Sequence, residues 1–210
     1  MNEQIAPHNQ RPISTIIFDW GGVFCTPAEP FSHPCFLNDL KLTPEEIEAK
    51  VKDIHEKYYR GAVSAEEFWR HVADFFKLNG ITAREFTSAY LSSYQLYPEI
   101  LLLAKTLKPA YTTSLLSNLT KEMMEHIVET YQLTDVFHDL IFSNNIGLLK
   151  PETAMFEMAL KHNKAVPAET VFIDDSKKNV AAAQELGMHG ILFVSPEQCK
   201  DELRKLGIIF

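Results

Sequence analysis

Asp19 closes an apolar run, Ile16-Ile17-Phe18, and is followed by Trp20 and the pair Gly21-Gly22. A strand that delivers one carboxylate into a glycine turn places it at the carboxyl edge of a sheet, where open α/β sheets gather their ligands. The glycines allow a sharp turn and let backbone N–H groups approach an anion. A second apolar run, Thr170 to Ile173, ends in Asp174-Asp175. Taken singly, each acid could do no more than cap a turn or a helix. Three carboxylates at one sheet edge would repel, and a hard divalent cation would keep them ionised. Mg²⁺ fits, because it takes oxygen ligands and commonly combines one or two carboxylates with water and substrate phosphate. Two further groups follow the same pattern. The run Thr112 to Ser117 ends in a hydroxyl, with the amide of Asn118 next, and Lys150 precedes Pro151 and Glu152. Alone these are ordinary surface chemistry, but the order of acid, hydroxyl, lysine and paired acids is not.

The elements that must carry these groups are legible from periodicity. Short apolar runs bounded by turn signals read as buried strands, and such strands usually belong to parallel sheets covered by helices on both faces. Between Cys25 and Pro98 the strand signals vanish. Thr43-Pro44-Glu45-Glu46 reads as an N-cap, a proline at the first helical position and a capping-box Glu; Ser64 with Glu67 and Thr82 with Glu85 repeat the box. Helices are predicted over 43–60, 64–79 and 82–94, the second closed by Asn79-Gly80, with a further one near 31–40. Phe68, Trp69, Val72, Phe75 and Phe76 recur at helical spacing and read as the core of a helical bundle. From Pro98 the α/β alternation resumes: helix 98–108, strand 111–117, helix 121–131, strand 139–143, helix 153–163 opened by Pro151, strand 170–173 and helix 177–186 with Gly187 beyond it. Ser195-Pro196-Glu197-Gln198 predicts a last helix with another capping box.

The ordered motifs resemble those of the haloacid dehalogenase superfamily over about residues 13–193. Its first motif, DxDxT/V, is similar to Asp19-Trp20-Gly21-Gly22-Val23 except at the second acid; Ser117, Lys150 and Asp174-Asp175 match the second, third and fourth. The resemblance implies an α/β fold, a three-layer Rossmann-like parallel sheet core (residues 12–25 and 98–210) with an inserted α-helical cap (26–97). It implies Mg²⁺ as cofactor and a small phosphorylated substrate. Asp19 would be the nucleophile. The metal would be held by Asp19, the Gly21 carbonyl and Asp175, with Asp174 contributing through water. Ser117, Lys150 and the backbone N–H groups of Trp20, Gly21 and Asn118 would bind phosphate. Trp20 itself is expected on the cap side of the entrance. The departure is Gly21, where phosphatases of the superfamily carry the acid that protonates the leaving oxygen. Three explanations of Gly21 compete: a phosphatase that needs less help or borrows an acid from the cap, a phosphate-binding protein with weakened turnover, and a dehalogenase, whose halide needs no proton. The dehalogenase is disfavoured by the missing aromatic two positions past the nucleophile and by the second acid in the fourth motif.

Composition narrows the remaining classes. At 210 residues, 46% hydrophobic and 23% charged, the chain suits one core plus an insertion. A net charge of −8, with no basic run or stacking motif, argues against nucleic acid. The widely spaced Cys25, Cys35 and Cys199 predict buried thiols in a reducing compartment, not a zinc site or a disulfide framework. No apolar run approaches the roughly 20 residues of a membrane span or reads as a signal peptide, so a cytoplasmic location is expected. The eight histidines show no metal-ligating spacing; His33, early in the insertion, is the one expected to be able to face the catalytic loop.

Overall fold

The computed structural model describes residues 12–28, 31, 36, 40–80 and 82–210. His33 and Cys35, and most of the helix expected near 31–40, lie outside them. Five strands form one parallel sheet: β1 (Thr15–Phe18), β2 (Thr112–Ser117), β3 (Asp139–Phe142), β4 (Thr170–Asp174) and β5 (His189–Leu192), in the order β3-β2-β1-β4-β5. All four residues of β1 are buried, as a central strand covered on both faces requires. Alternation splits it between two cores. Ile16 and Phe18 pack with Leu103, Leu107, Ile127 and Leu203 on one side; Ile17 packs with Leu116, Phe156 and Ala183 on the other. Helices α4 (Pro98–Leu107), α5 (Lys121–Tyr131), α6 (Leu133–Val136) and α10 (Pro196–Lys205) supply the first layer, with α8 (Thr153–His162) and α9 (Lys177–Glu185) supplying the other. The result is the expected three-layer α/β arrangement.

Between β1 and α4 lie α1 (Pro44–Tyr59), α2 (Ala65–Phe76) and α3 (Ala83–Leu91). Each begins with a reciprocal capping box, at Thr43/Glu46, Ser64/Glu67 and Thr82/Glu85. They enclose a separate core of Phe31, Phe36, Ile47, Phe68, Trp69, Val72 and Phe86. Phe75, expected in that core, is 52% exposed, because it falls on the outer side of α2. This helix ends at Phe76, with Lys77 at φ 55° as its left-handed cap; the Asn79-Gly80 stop is three residues too late. The box at Ser195 is half formed. Ser195 Oγ accepts from the Gln198 N–H, whereas Gln198 Oε1 accepts from Val194 N–H, one residue before the cap.

The chain enters and leaves this helical insertion side by side. Cys25 pairs antiparallel with Leu96; Thr26 N–H donates to the Gln95 carbonyl at 2.9 Å and Tyr97 N–H to the Phe24 carbonyl at 2.7 Å. The insertion is also tied to the sheet region. Tyr58 donates to Glu122 Oε2 at 2.7 Å, Ser143 Oγ donates to the Tyr59 carbonyl at 2.7 Å, and Arg60 contacts both the Gly147 carbonyl, at 2.9 Å, and Glu152.

Candidate active site

The sheet register brings the acids together. Phe18 pairs with Ile173, so the next residues, Asp19 and Asp174, emerge level from neighbouring strands. Asp19 N–H continues the ladder to the Ile173 carbonyl at 2.9 Å. On the other side Phe18 pairs with Leu115, which sets Ser117 at the same edge. Ser117 Oγ donates to Asp19 Oδ1 at 2.7 Å. Lys150 arrives from the loop after α7 (Ser143–Ile146), and its ammonium bridges two carboxylates, 2.7 Å from Asp19 Oδ1 and 2.7 Å from Asp174 Oδ2. All of these groups are buried; Asp174 is fully so.

Burial is the largest influence on Asp19. Lys150 opposes it and the Asp174 charge adds to it, so that the Asp19 carboxyl is pushed up to about 7. Burial also pulls the Lys150 ammonium down, but the two flanking carboxylates outweigh it and hold its pKa above the ordinary lysine value. Asp175, more exposed, is raised by partial burial and then by Asp174. Oxygen atoms of Asp19, Asp174 and Asp175 lie within 4.8 Å of one another. An all-oxygen set of that spacing, in which the Asp19 and Asp175 carboxyls are both raised, fits a hard divalent cation.

The glycine pair divides its labour. Gly22, at φ 74°, lies so close to Asp175 that a Cβ on it would sit 2.0 Å from Oδ2. At Gly21 a Cβ would meet nothing within 4 Å. The missing side chain of the first motif is therefore open space beside Asp19. That space belongs to a cavity of about 200 Å³ lined by Asp19, Trp20, Gly21, Ser117, Asn118, Lys150, Asp175, Asn179 and, from the helical insertion, Tyr59 and Tyr90.

Trp20 lies elsewhere than expected, and the side chain of Asn118 has a task of its own. Trp20 is not on the side of the helical insertion. Its ring stacks on Phe24 at 5.3 Å and leans on Tyr131, packed within the core that covers one face of the sheet. Asn118 spends its side chain on Lys150: Nδ2 donates to the Lys150 carbonyl at 3.0 Å and Oδ1 accepts from the Lys150 N–H at 2.9 Å. Asn179 was invisible in the motifs. It donates to both oxygens of Asp174 at 3.0 Å, and Ser176 N–H adds a third bond at 2.8 Å. Its place five residues after Asp174, in the first turn of α9, is the signal that could have found it.

The model of the haloacid dehalogenase-like hydrolase family matches residues 13–187. This chain belongs to that family. It is 26% identical to a D-ribitol-5-phosphate phosphatase of Bacteroides thetaiotaomicron, over 94% of this chain and 98% of the relative. It is 25% identical to a sesquiterpene phosphatase of Aspergillus oryzae, over 90% and 94%. A family enzyme of B. thetaiotaomicron, solved with magnesium and inorganic phosphate, superposes with a TM-score of 0.72 at 25% identity, covering 85% of this chain and 93% of that one. Among the described residues no helix is long and apolar enough to cross a membrane.

Proposed function

We propose that this hydrolase is a Mg²⁺-dependent phosphatase acting on a small, hydroxyl-rich phosphate monoester through an aspartyl-phosphate. The observation that carries the reading is Lys150, buried between Asp19 and Asp174 at 2.7 Å from each, beside a cavity that admits the phosphoryl group. Asp19 attacks phosphorus in line, and the bond to the leaving oxygen breaks; water then hydrolyses the acyl phosphate. Ser117 donates to a phosphoryl oxygen when substrate displaces its bond to Asp19. The backbone N–H groups of Trp20, Gly21 and Asn118 share that work, and the fixed charge of Lys150 offsets the charge that develops. Asn118 positions Lys150 through the backbone, and Asn179 positions Asp174. Asp19, the Gly21 carbonyl and Asp175 would hold Mg²⁺, with Asp174 contributing through water, and the ion would supply the charge that lets two anions meet. The helical insertion, residues 26–97, acts as the cap that selects substrate.

The substrate class is read from the adjoining cavity of about 330 Å³, which shares Ala28, Tyr59 and Asn118 with the first and adds Glu48, His55, Glu56 and Leu149. His55 Nδ1 pairs with Glu48 at 3.2 Å, and its Nε2 is buried with no partner among the described residues. The Glu56 carboxylate, the unpartnered His55 Nε2 and the Tyr59 phenol offer hydrogen-bonding groups to a chain of hydroxyls. A relative named as a D-ribitol-5-phosphate phosphatase supports the same class. A screen of polyol, sugar, nucleoside and isoprenoid phosphates with Mg²⁺, with Asp19→Asn as the blank, tests it. Turnover of polyol or sugar phosphates above the others is expected; preference for the isoprenoid esters would refute the substrate class.

A further inference from the structure

Gly21 leaves the leaving oxygen without the acid that would protonate it, yet two proton donors enter the same cavity from the helical insertion. Tyr59, in the last turn of α1, and Tyr90, in α3, both line it, and their hydroxyls are 3.2 Å apart. Two hydroxyls in contact place one proton between their oxygens, which leaves the other proton for a third acceptor. Tyr90 is buried, whereas Tyr59 is only partly so. The enclosed Tyr90 hydroxyl has the Tyr59 oxygen, 3.2 Å away, to receive its proton, which leaves the Tyr59 proton for the cavity. Tyr59 is also held in place. The His55 ring packs edge-on against it at 4.7 Å, and its carbonyl is anchored by Ser143 Oγ at 2.7 Å. Cys25 lines the cavity as well, but its thiol is directed at the Trp20 carbonyl, 3.9 Å away.

We propose that Tyr59 is the proton donor to the leaving oxygen, in place of the absent carboxylic acid, and that Tyr90 polarises it. The inference rests on the phosphatase reading. As an Asp19 oxygen bonds to phosphorus, the bond from phosphorus to the leaving oxygen breaks; that oxygen keeps the electron pair and takes the Tyr59 proton, leaving as an alcohol. The tyrosinate then takes a proton from the water that attacks the aspartyl phosphate. The carboxylate of Asp19 departs with its electron pair, inorganic phosphate is released, and both residues are restored. Burial pushes the Tyr59 phenol up to about 12, so it stays protonated at neutral pH. It is still a stronger acid than bulk water, at roughly 15.7, and so than an alkoxide's parent alcohol. A phenol is thus a competent donor for an alkyl ester, the class assigned to the adjoining cavity.

The test is kcat/KM for p-nitrophenyl, phenyl and alkyl phosphates in the parent, Tyr59→Phe and Tyr90→Phe proteins, with circular dichroism as the check on folding. The parent is expected to show a shallow dependence on leaving-group pKa. Tyr59→Phe should lose roughly 10²-fold or more on alkyl esters while p-nitrophenyl phosphate, which needs no proton, stays within about threefold. Tyr90→Phe should fall between. If Tyr59→Phe does not fold, replacing Tyr59 with 3-fluorotyrosine keeps the ring and acidifies the hydroxyl, and must raise the alkyl rate relative to the aryl rate. A steep dependence in the parent, equal losses on aryl and alkyl esters in Tyr59→Phe, or an unchanged ratio with fluorotyrosine overturns the role of Tyr59 alone. A parent that cleaves none of these esters overturns the phosphatase reading itself.

Discussion

Gly21 and Gly22 are adjacent, yet substitution should separate them sharply. Gly22→Ala forces an L side chain to φ 74°, which costs about 1–2 kcal/mol. The new Cβ would also lie 2.0 Å from Asp175 Oδ2 and 2.2 Å from its Cγ, so Asp175 must leave its position beside Asp19. For a chain of this size the backbone strain alone lowers Tm by about 2–8 °C. Displacing Asp175, a proposed metal ligand, should raise the Mg²⁺ concentration for half-maximal activity by roughly tenfold or more, as even losses of supporting groups do at metal sites. Gly21→Ala meets nothing within 4 Å and should stay within about 0.5 kcal/mol of the parent, with its Mg²⁺ requirement unchanged. Thermal melts and Mg²⁺ titrations of activity on the two variants decide the matter. If both glycines tolerate alanine, or if Gly22→Ala loses stability without any change in Mg²⁺ requirement, the close packing of the turn on Asp175 does not govern metal binding.

Asp19→Asn should fold and retain less than about 1% of parent activity, since an amide forms no acyl phosphate; steady-state assays with p-nitrophenyl phosphate check this. Lys150→Met leaves Asp19 and Asp174 buried together without their countercharge, and should cost about 3–5 kcal/mol in urea unfolding. The cost should shrink in the Asp19→Asn background, and an additive double mutant would refute the coupling. Chelator should abolish turnover, and Mg²⁺ or Mn²⁺ should restore it. Gly21→Asp, whose side chain enters open space, should recover alkyl-ester cleavage in a Tyr59→Phe background; no recovery would mean that the new carboxyl does not reach the leaving oxygen.

Where local chemistry dictates structure, the sequence was a sound guide. The three capping boxes started α1, α2 and α3 at the expected residues, and the apolar runs placed β1, β2 and β4 with their terminal Asp19, Ser117 and Asp174. These signals are short-range and strong. The short α6 and α7 were not foreseen, since four residues carry no periodicity, nor was β5, where His189 and Gly190 interrupt the apolar pattern. The stop of α2 was misplaced because Lys77 adopts a left-handed conformation that glycine would ordinarily supply. The supporting contacts of the site were equally hidden. That Asn118 clamps Lys150, that Asn179 holds Asp174, and that Tyr59 and Tyr90 meet in the cavity Asp19 lines are facts of tertiary packing between distant segments. The cap-borne donor sought at His33 falls outside the described residues, and a tyrosine in a bundle reads as core until its hydroxyl is located.

The antiparallel ribbon joining Cys25 to Leu96 has a bearing on how the chain reaches its fold. Thr15 must find Thr112 to start the sheet, a closure that a free chain makes across nearly a hundred residues. Once the helical insertion has folded and its two ends lie side by side, the free chain left to close is about a quarter as long. Loop-closure entropy scales with the logarithm of length, so the saving is about 1 kcal/mol. An early-folding insertion would therefore hasten nucleation of the sheet. The same geometry makes residues between Thr26 and Gln95 a cassette. Another segment whose termini meet in such a ribbon could replace them while β1 kept its pairing with β2.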